Sequence, residues 1–290
     1  MDKRRVNRRV IEALVRAGAL DGIEANRARL LASVGRALEA AEQAERMASQ
    51  SSLFGDGEHA RGDRQALIEA QAWDRKQQLL EEKTALGFSL SGHLYSVHER
   101  DLAGFPRRPL ATLEPGEHRV WIAGIVAEAR MQMTRRGRVM IVTLDDGAAQ
   151  LEISVFAELL EKHRDKIKDD ALLLVHGKVQ RDEFSGGLRV AADDLLDLAA
   201  MRKRFAAKLR LEINGQADAR RLMETLAPYR SVEEGACEVL VHYENAAASC
   251  DVVLGETWKV RPDDRLISEL SAWLAPEHVQ VQYGNGAAAV

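Results

Sequence analysis

Val120-Trp121-Ile122-Ala123-Gly124-Ile125-Val126, then Val139-Met140-Ile141-Val142-Thr143-Leu144, then Leu151-Glu152-Ile153-Ser154-Val155-Phe156 decide the fold of this chain. They are alternating apolar runs too short for amphipathic helices, and Asp145-Asp146-Gly147 supplies a turn between the second and the third. A helical pattern over 157–167 follows, and two more strand-like runs come at 171–179 and 187–191.

Three strands, a helix and two strands is the order of a five-stranded OB barrel, whose first inter-strand loop and central strands commonly hold oligonucleotides. In this chain that first loop carries Arg130, Arg135, Arg136 and Arg138, and no acid lies between Glu128 and Asp145. The net charge of -4 excludes a uniformly basic nucleic-acid binder, so a local cluster of this kind is where such contact must come from. Met131, Met133 and Phe184 are candidate base contacts beside it. Arginines in a hairpin loop also serve solubility alone, and spacing does not separate the two readings.

Upstream of the barrel, residues 104–116 hold three of the six prolines and predict a linker. Before it, 71–86 has helical spacing with Trp73, Leu79, Leu80 and Leu86 as buried positions, broken by Gly87-Phe88-Ser89-Leu90-Ser91-Gly92-His93. His93 and His98 have no third Cys, His or acid at usable spacing, so a turn and a packed histidine are expected rather than a metal site. Residues 26–47 predict a helix with Leu30, Leu31, Val34, Leu38 and Ala41 on one face, and 7–22 a shorter one interrupted at Gly18. Arg4, Arg5, Arg8, Arg9 and Arg16 make that end basic, which suits phosphate contact through the glycine turn as well as plain solvation. Between these helices lies Gln50-Ser51-Ser52-Leu53-Phe54, followed by Gly55-Asp56-Gly57. A Leu-Phe pair placed in a loop is a candidate anchor for a partner, on a polar segment, 55–65, expected to be mobile.

Downstream, strand 208–213, helix 217–226, strands 237–243 and 249–254, helix 264–274 and strand 279–283 predict a small α+β domain, with a tail at 285–290 that should fray. Its default role is interaction, since no catalytic constellation stands out. Cys237 and Cys250 form no CxxC pair and are too few for a disulfide scaffold, which fits a reducing cytoplasm. Neither a secretory signal nor an apolar run long enough to span a membrane is expected.

Taken together, the helical segment, the Gln-x-x-Leu-Phe loop, Glu82-Lys83-Thr84-Ala85-Leu86-Gly87-Phe88-Ser89-Leu90-Ser91-Gly92-His93, the barrel and the α+β end resemble the carboxy-terminal part of the bacterial replicative DNA polymerase III alpha subunit. Thr134-Arg135-Arg136-Gly137-Arg138, Thr143-Leu144-Asp145-Asp146 and Gly255-Glu256-Thr257-Trp258-Lys259-Val260 carry the same resemblance; Leu94 departs from it, standing where the family usually has proline. The resemblance implies that 7–23 is the end of a helix-hairpin-helix region that meets duplex DNA at Gly18. It implies that Gln50, Leu53 and Phe54 bind the sliding clamp, that Arg130, Arg135, Arg136 and Arg138 meet single-stranded DNA on the OB fold, and that the last domain binds the tau subunit of the clamp loader.

The implied plan is multidomain α+β: 1–48 helical, 49–70 a flexible loop with the clamp motif, 71–116 helix and linker, 117–200 the OB-fold domain, 201–284 the tau-binding domain and 285–290 a disordered tail. The family's catalytic carboxylates and their Mg2+ belong to a palm domain that no segment here resembles, so the chain alone is expected to polymerise nothing. Asp145-Asp146, Asp169-Asp170, Asp193-Asp194 and Asp263-Asp264 look like metal-binding pairs but are expected to be turn and strand-end residues. Two alternatives stay open: an OB-fold assembly adaptor that binds no nucleic acid, and an anticodon-binding type of barrel.

Overall fold

The computed structural model describes residues 6–49, 66–134, 137–182, 186–214 and 218–284. The chain divides into two compact units, Met1–Val97 and His98–Val290.

In the first unit, helix α1 (Arg8–Arg16) begins where the Asn7 side chain accepts the Val10 N–H at 3.1 Å, and its end turns through Gly18. Helix α2 is Arg27–Ser49. Helix α3 (Arg75–Leu86) is capped by Asp74, whose carboxylate accepts the Gln77 N–H at 2.7 Å, and it ends at Gly87 in the left-handed region, φ +85°. Leu79 is buried as the spacing predicts, whereas Leu86, on the last turn, is 40% exposed. The organising group is Glu82, which is wholly buried. One of its oxygens accepts Arg27 Nη1 at 2.9 Å, and the other accepts the N–H groups of Leu90 and Ser91, each at 2.8 Å. Burial alone would raise the Glu82 pKa, but these donors outweigh it and hold the carboxyl at about 2. The Glu82–His93 stretch is therefore specific for a physical reason: its first residue ties down the loop that follows it.

In the second unit, β1 (Arg119–Thr134), β2 (Gly137–Asp145), β3 (Gln150–Phe156), β4 (Leu172–Arg181) and β5 (Leu188–Leu196) pair in the closed order β1-β2-β3-β5-β4. The β3–β5 pair is parallel and the other four are antiparallel. Ile122, Val142, Ile153, Val175 and Val190 point into one core, and α4 (Ala157–His163) follows β3. Gly177 sits beside a register shift in the β4–β5 pair, where a Cβ would lie 2.2 Å from the Ala191 carbonyl oxygen. Only glycine lets these backbones approach so closely.

The proline-rich stretch before β1 does more than link: Leu110 and Leu113 are buried in the barrel core, and the Leu110 N–H donates to Asp146 at 2.9 Å. A helix that the periodicity does not announce, α5 (Leu198–Phe205), leads into β6 (Ala206–Asn214), α6 (Ala219–Leu226), β7 (Glu238–Glu244), β8 (Ser249–Val253), α7 (Asp264–Leu274) and β9 (Val279–Tyr283). These four strands form a sheet in the order β8-β7-β6-β9, with Leu222, Leu226, Leu266 and Leu270 of the two helices in its core.

Barrel and sheet share a seam. Phe105 packs against Trp121, Phe205 and Tyr283 at centroid distances of 5.7, 5.5 and 5.6 Å. Arg202 of α5, only 3% exposed, pairs there with both Asp101 and Asp264, and the Tyr283 hydroxyl donates to the Asp101 carbonyl at 2.6 Å. A buried arginine with two carboxylates is stable only because its charge is met on the spot.

Candidate nucleic-acid interface

Of the four arginines expected in a loop, Arg130 lies on β1 and Arg138 on β2. Past a register shift between Val126 and Glu128, β1 and β2 stay paired from Glu128↔Thr143 to Thr134↔Gly137, so Arg130 and Arg138 belong to a β-ribbon that carries on beyond the bulge. Strand alternation then separates two faces. Met131 and Met133, 52% and 74% exposed, share one face with Arg138, which lies opposite Met133; Arg130 is on the other. Met131, Met133 and Arg138 line a shallow pocket of about 230 Å³.

Arg130 is not a free cation. Its Nη2 lies 2.7 Å from Glu152 on β3, and Arg189 of β5 holds the other oxygen of the same carboxylate at 2.5 Å and Asp182 at 3.5 Å. The Arg189 hydrogen bond, and after it that of Arg130, keeps the Glu152 carboxyl below the usual carboxylate range despite the opposing effect of burial. These residues line a groove of about 580 Å³ that Leu110 and Leu188 complete. The acid-free interval from Glu128 to Asp145 concealed this, because the neutralising carboxylate comes from the neighbouring strand. Nothing in the local sequence marks Arg189 and Asp182; the signal is the parallel register that sets Glu152 beside Arg189, which needs the β3–β5 pairing to be seen.

Other expected site residues are placed differently. Gly18 has φ +81°, and its N–H donates to the Val15 carbonyl at 3.0 Å, as the Ala19 N–H does to Leu14 at 2.9 Å. Both amides are thus engaged within the turn, and a Cβ on Gly18 would lie 2.1 Å from the Arg27 guanidinium, which Asp21 and Glu82 hold. Gln50, Leu53, Phe54, Arg135, Arg136 and Phe184 lie outside the described residues. His93 accepts the Tyr95 N–H at 3.1 Å, and no group of three metal-binding side chains occurs among the described residues.

The acid pairs have structural partners. Asp145 and Asp146 accept the N–H groups of Gly147, Ala148 and Ala149 in the hairpin turn. Asp193 pairs with Arg119, Asp194 with Arg204, Asp263 caps α7, and Asp264 pairs with Arg202. No described helix is long and apolar enough to cross a membrane.

The barrel and its groove define a class: residues 120–198 match the model of an OB-fold nucleic acid binding domain. Residues 221–274 match the C-terminal domain of DNA polymerase III subunit alpha. Over 97% of its length the chain is 35% identical to the DNA polymerase III subunit alpha of Neisseria meningitidis serogroup A, and 33% identical to that of Escherichia coli. The chain is thus homologous to the carboxy-terminal region of the bacterial DNA polymerase III alpha subunit. It spans about a quarter of the length of these relatives. Among solved structures, the second OB-fold domain of replication protein A from Methanococcus maripaludis covers 31% of this chain and 94% of its own, at 18% identity and a TM-score of 0.26, too low to carry a conclusion.

Proposed function

We propose that the chain is an attachment portion of a replicative polymerase. Single-stranded template lies along the β1–β2 ribbon and the adjoining groove of the OB domain. Gln50, Leu53 and Phe54 bind the sliding clamp, the terminal domain binds the tau subunit of the clamp loader, and the turn at Gly18 lies near duplex DNA in the bacterial cytoplasm. Nucleotide addition, with its Mg2+, belongs to a catalytic domain that this chain does not resemble, so the chain alone extends no primer.

One observation carries the nucleic-acid part: the exposed methionines of the ribbon share a face with the cation Arg138. Apolar contact for bases beside cations for phosphates is how sequence-tolerant single-strand sites are built. For the clamp, burying Leu53 and Phe54 contributes roughly 1.5–3 kcal/mol each. Association costs about 4–15 kcal/mol, so the peptide holds weakly and gains from simultaneous attachment to DNA.

Fluorescence anisotropy with labelled single-stranded DNA tests the barrel. If about three arginines meet phosphates, the log–log salt slope is about -2, and charge reversal at Arg135, Arg136 and Arg138 flattens it. A pull-down with the sliding clamp, comparing the chain with its Gln50→Ala, Leu53→Ala, Phe54→Ala variant, tests the tether. A specific observation favours a second reading, an assembly adaptor without nucleic-acid binding: Glu152 and Asp182 already pair with Arg130 and Arg189. That reading requires no anisotropy change at low salt.

A further inference from the structure

Strand β8 ends the four-stranded sheet, and all five of its residues are exposed. Its antiparallel pairing with β7 fixes which backbone groups point outward. The Leu254 N–H donates to the Val239 carbonyl, and in an antiparallel ladder bonded and non-bonded pairs alternate. Val252 and Cys250 therefore bond inward to β7, while Ser249, Asp251 and Val253 turn their peptide groups to the open edge. The side chains sort by face as well. Val253 and Asp251 stand on one side and Val252, opposite the core residue Val241, on the other; Val252 and Val253 are 45% and 53% exposed.

Around this edge the charge is of one sign. From Ser231 to Trp258 the chain has no lysine or arginine and carries Glu233, Glu234, Glu238, Glu244, Asp251 and Glu256. Lys208, Lys259 and Arg261, from outside the stretch, pair with Glu238, Glu256 and Glu233, and His242 sits 2.6 Å from Asp251. A second copy of this chain at the same edge would bring acid against acid, which disfavours it.

We propose that the outer edge of β8 is a docking site for an extended, basic segment of a partner protein, in which lysines or arginines alternate with aliphatic residues, added to the sheet as a further strand. Main-chain hydrogen bonds to Ser249, Asp251 and Val253 hold the segment; its aliphatic side chains cover Val252 and its cations face Asp251 and Glu244. The proposal fixes a surface and a chemistry and does not depend on the partner being tau.

The test uses the whole chain and a fluorescein-labelled peptide of about ten alternating valines and lysines. Two controls accompany it: the same peptide N-methylated at alternate positions, and a valine–glutamate peptide. Binding of the first, with about tenfold loss in both controls, is expected. Asp251→Lys should weaken the valine–lysine peptide by about tenfold and strengthen the valine–glutamate one. If that variant melts early, Ser249→Pro, at the first position of the strand with its N–H on the open side, takes its place. Equal binding of the N-methylated peptide, or no response to either substitution in a folded chain, overturns the proposal. Concentration-dependent dimerisation without peptide binding would give the edge to a second copy and also overturn it.

Discussion

The two sheets of the second unit deal with their edges in opposite ways. The barrel closes into a ring, since β3 meets β5 and β5 meets β4, and β4 returns to β1, with the β1–β2 ribbon running on beyond it. Among the described residues the other sheet ends at β8, whose five residues are all exposed. A ring can present ligands only with side chains, on its ribbon and groove, whereas an open sheet can also present its backbone. The contrast separates two kinds of recognition within one unit: charge and apolar contact on the barrel, strand addition on the sheet.

The largest expected effect lies where the two sheets meet. Arg202→Ala removes two charge-assisted hydrogen bonds, to Asp101 and Asp264, and should cost about 3 kcal/mol. By differential scanning calorimetry, barrel and sheet are expected to unfold together in the unsubstituted chain and apart in the variant; a trace that the substitution leaves unchanged would mean that the seam does not join them. A smaller effect tests ring closure. Gly177→Ala forces a Cβ against the Ala191 carbonyl and should cost about 1–3 kcal/mol by overpacking, with urea unfolding of the barrel as the measure. The smallest concerns the groove. The Glu152 pKa is depressed, so its pairs with Arg130 and Arg189 are intact above the ordinary carboxylate range, near pH 4.5, and are lost as pH falls through the lower folded value. Glu152→Gln should therefore abolish that acid dependence and, by freeing Arg130 and leaving Arg189 only Asp182, tighten single-stranded DNA binding by a factor of about two to five, consistent with a surface pair worth about 0.2–1 kcal/mol. An unchanged affinity would place the DNA elsewhere on the barrel.

Much of this fold was legible because strand alternation survives without tertiary help. The elements of the terminal sheet and the starts of the five barrel strands lie within two residues of where the periodicity puts them, while β1 and β5 run on past their expected ends to Thr134 and Leu196. Three features were hidden for separate reasons. The ribbon extends to Thr134 because β1 and β2 support each other, and Arg130-Met131-Gln132-Met133 alone resembles a polar loop. Leu110 and Leu113 were masked by the prolines around them, although Pro109 sits where it can start a short turn without sacrificing a needed N–H. Arg202 escaped notice because arginine is normally solvated, and only the convergence of Asp101 and Asp264 makes its burial possible. In the candidate site, Arg130 was visible in the sequence, but Glu152 and Arg189, which meet it in one ion-pair cluster, were not, since the three come from three strands.

The hydrogen bond from the Tyr283 hydroxyl to the Asp101 carbonyl joins positions 182 residues apart. On a ribosome this contact cannot form until nearly the last strand has emerged. Until then Phe105 and Trp121 wait without Tyr283; Arg202 waits for Asp264 only until α7 has emerged. A chain truncated before β9 would carry an aromatic patch, and a nascent barrel released before α7 a half-met buried charge as well. Such a surface attracts chaperones and other unfolded chains. The order of synthesis thus makes the end of the open sheet the completing piece of the closed one.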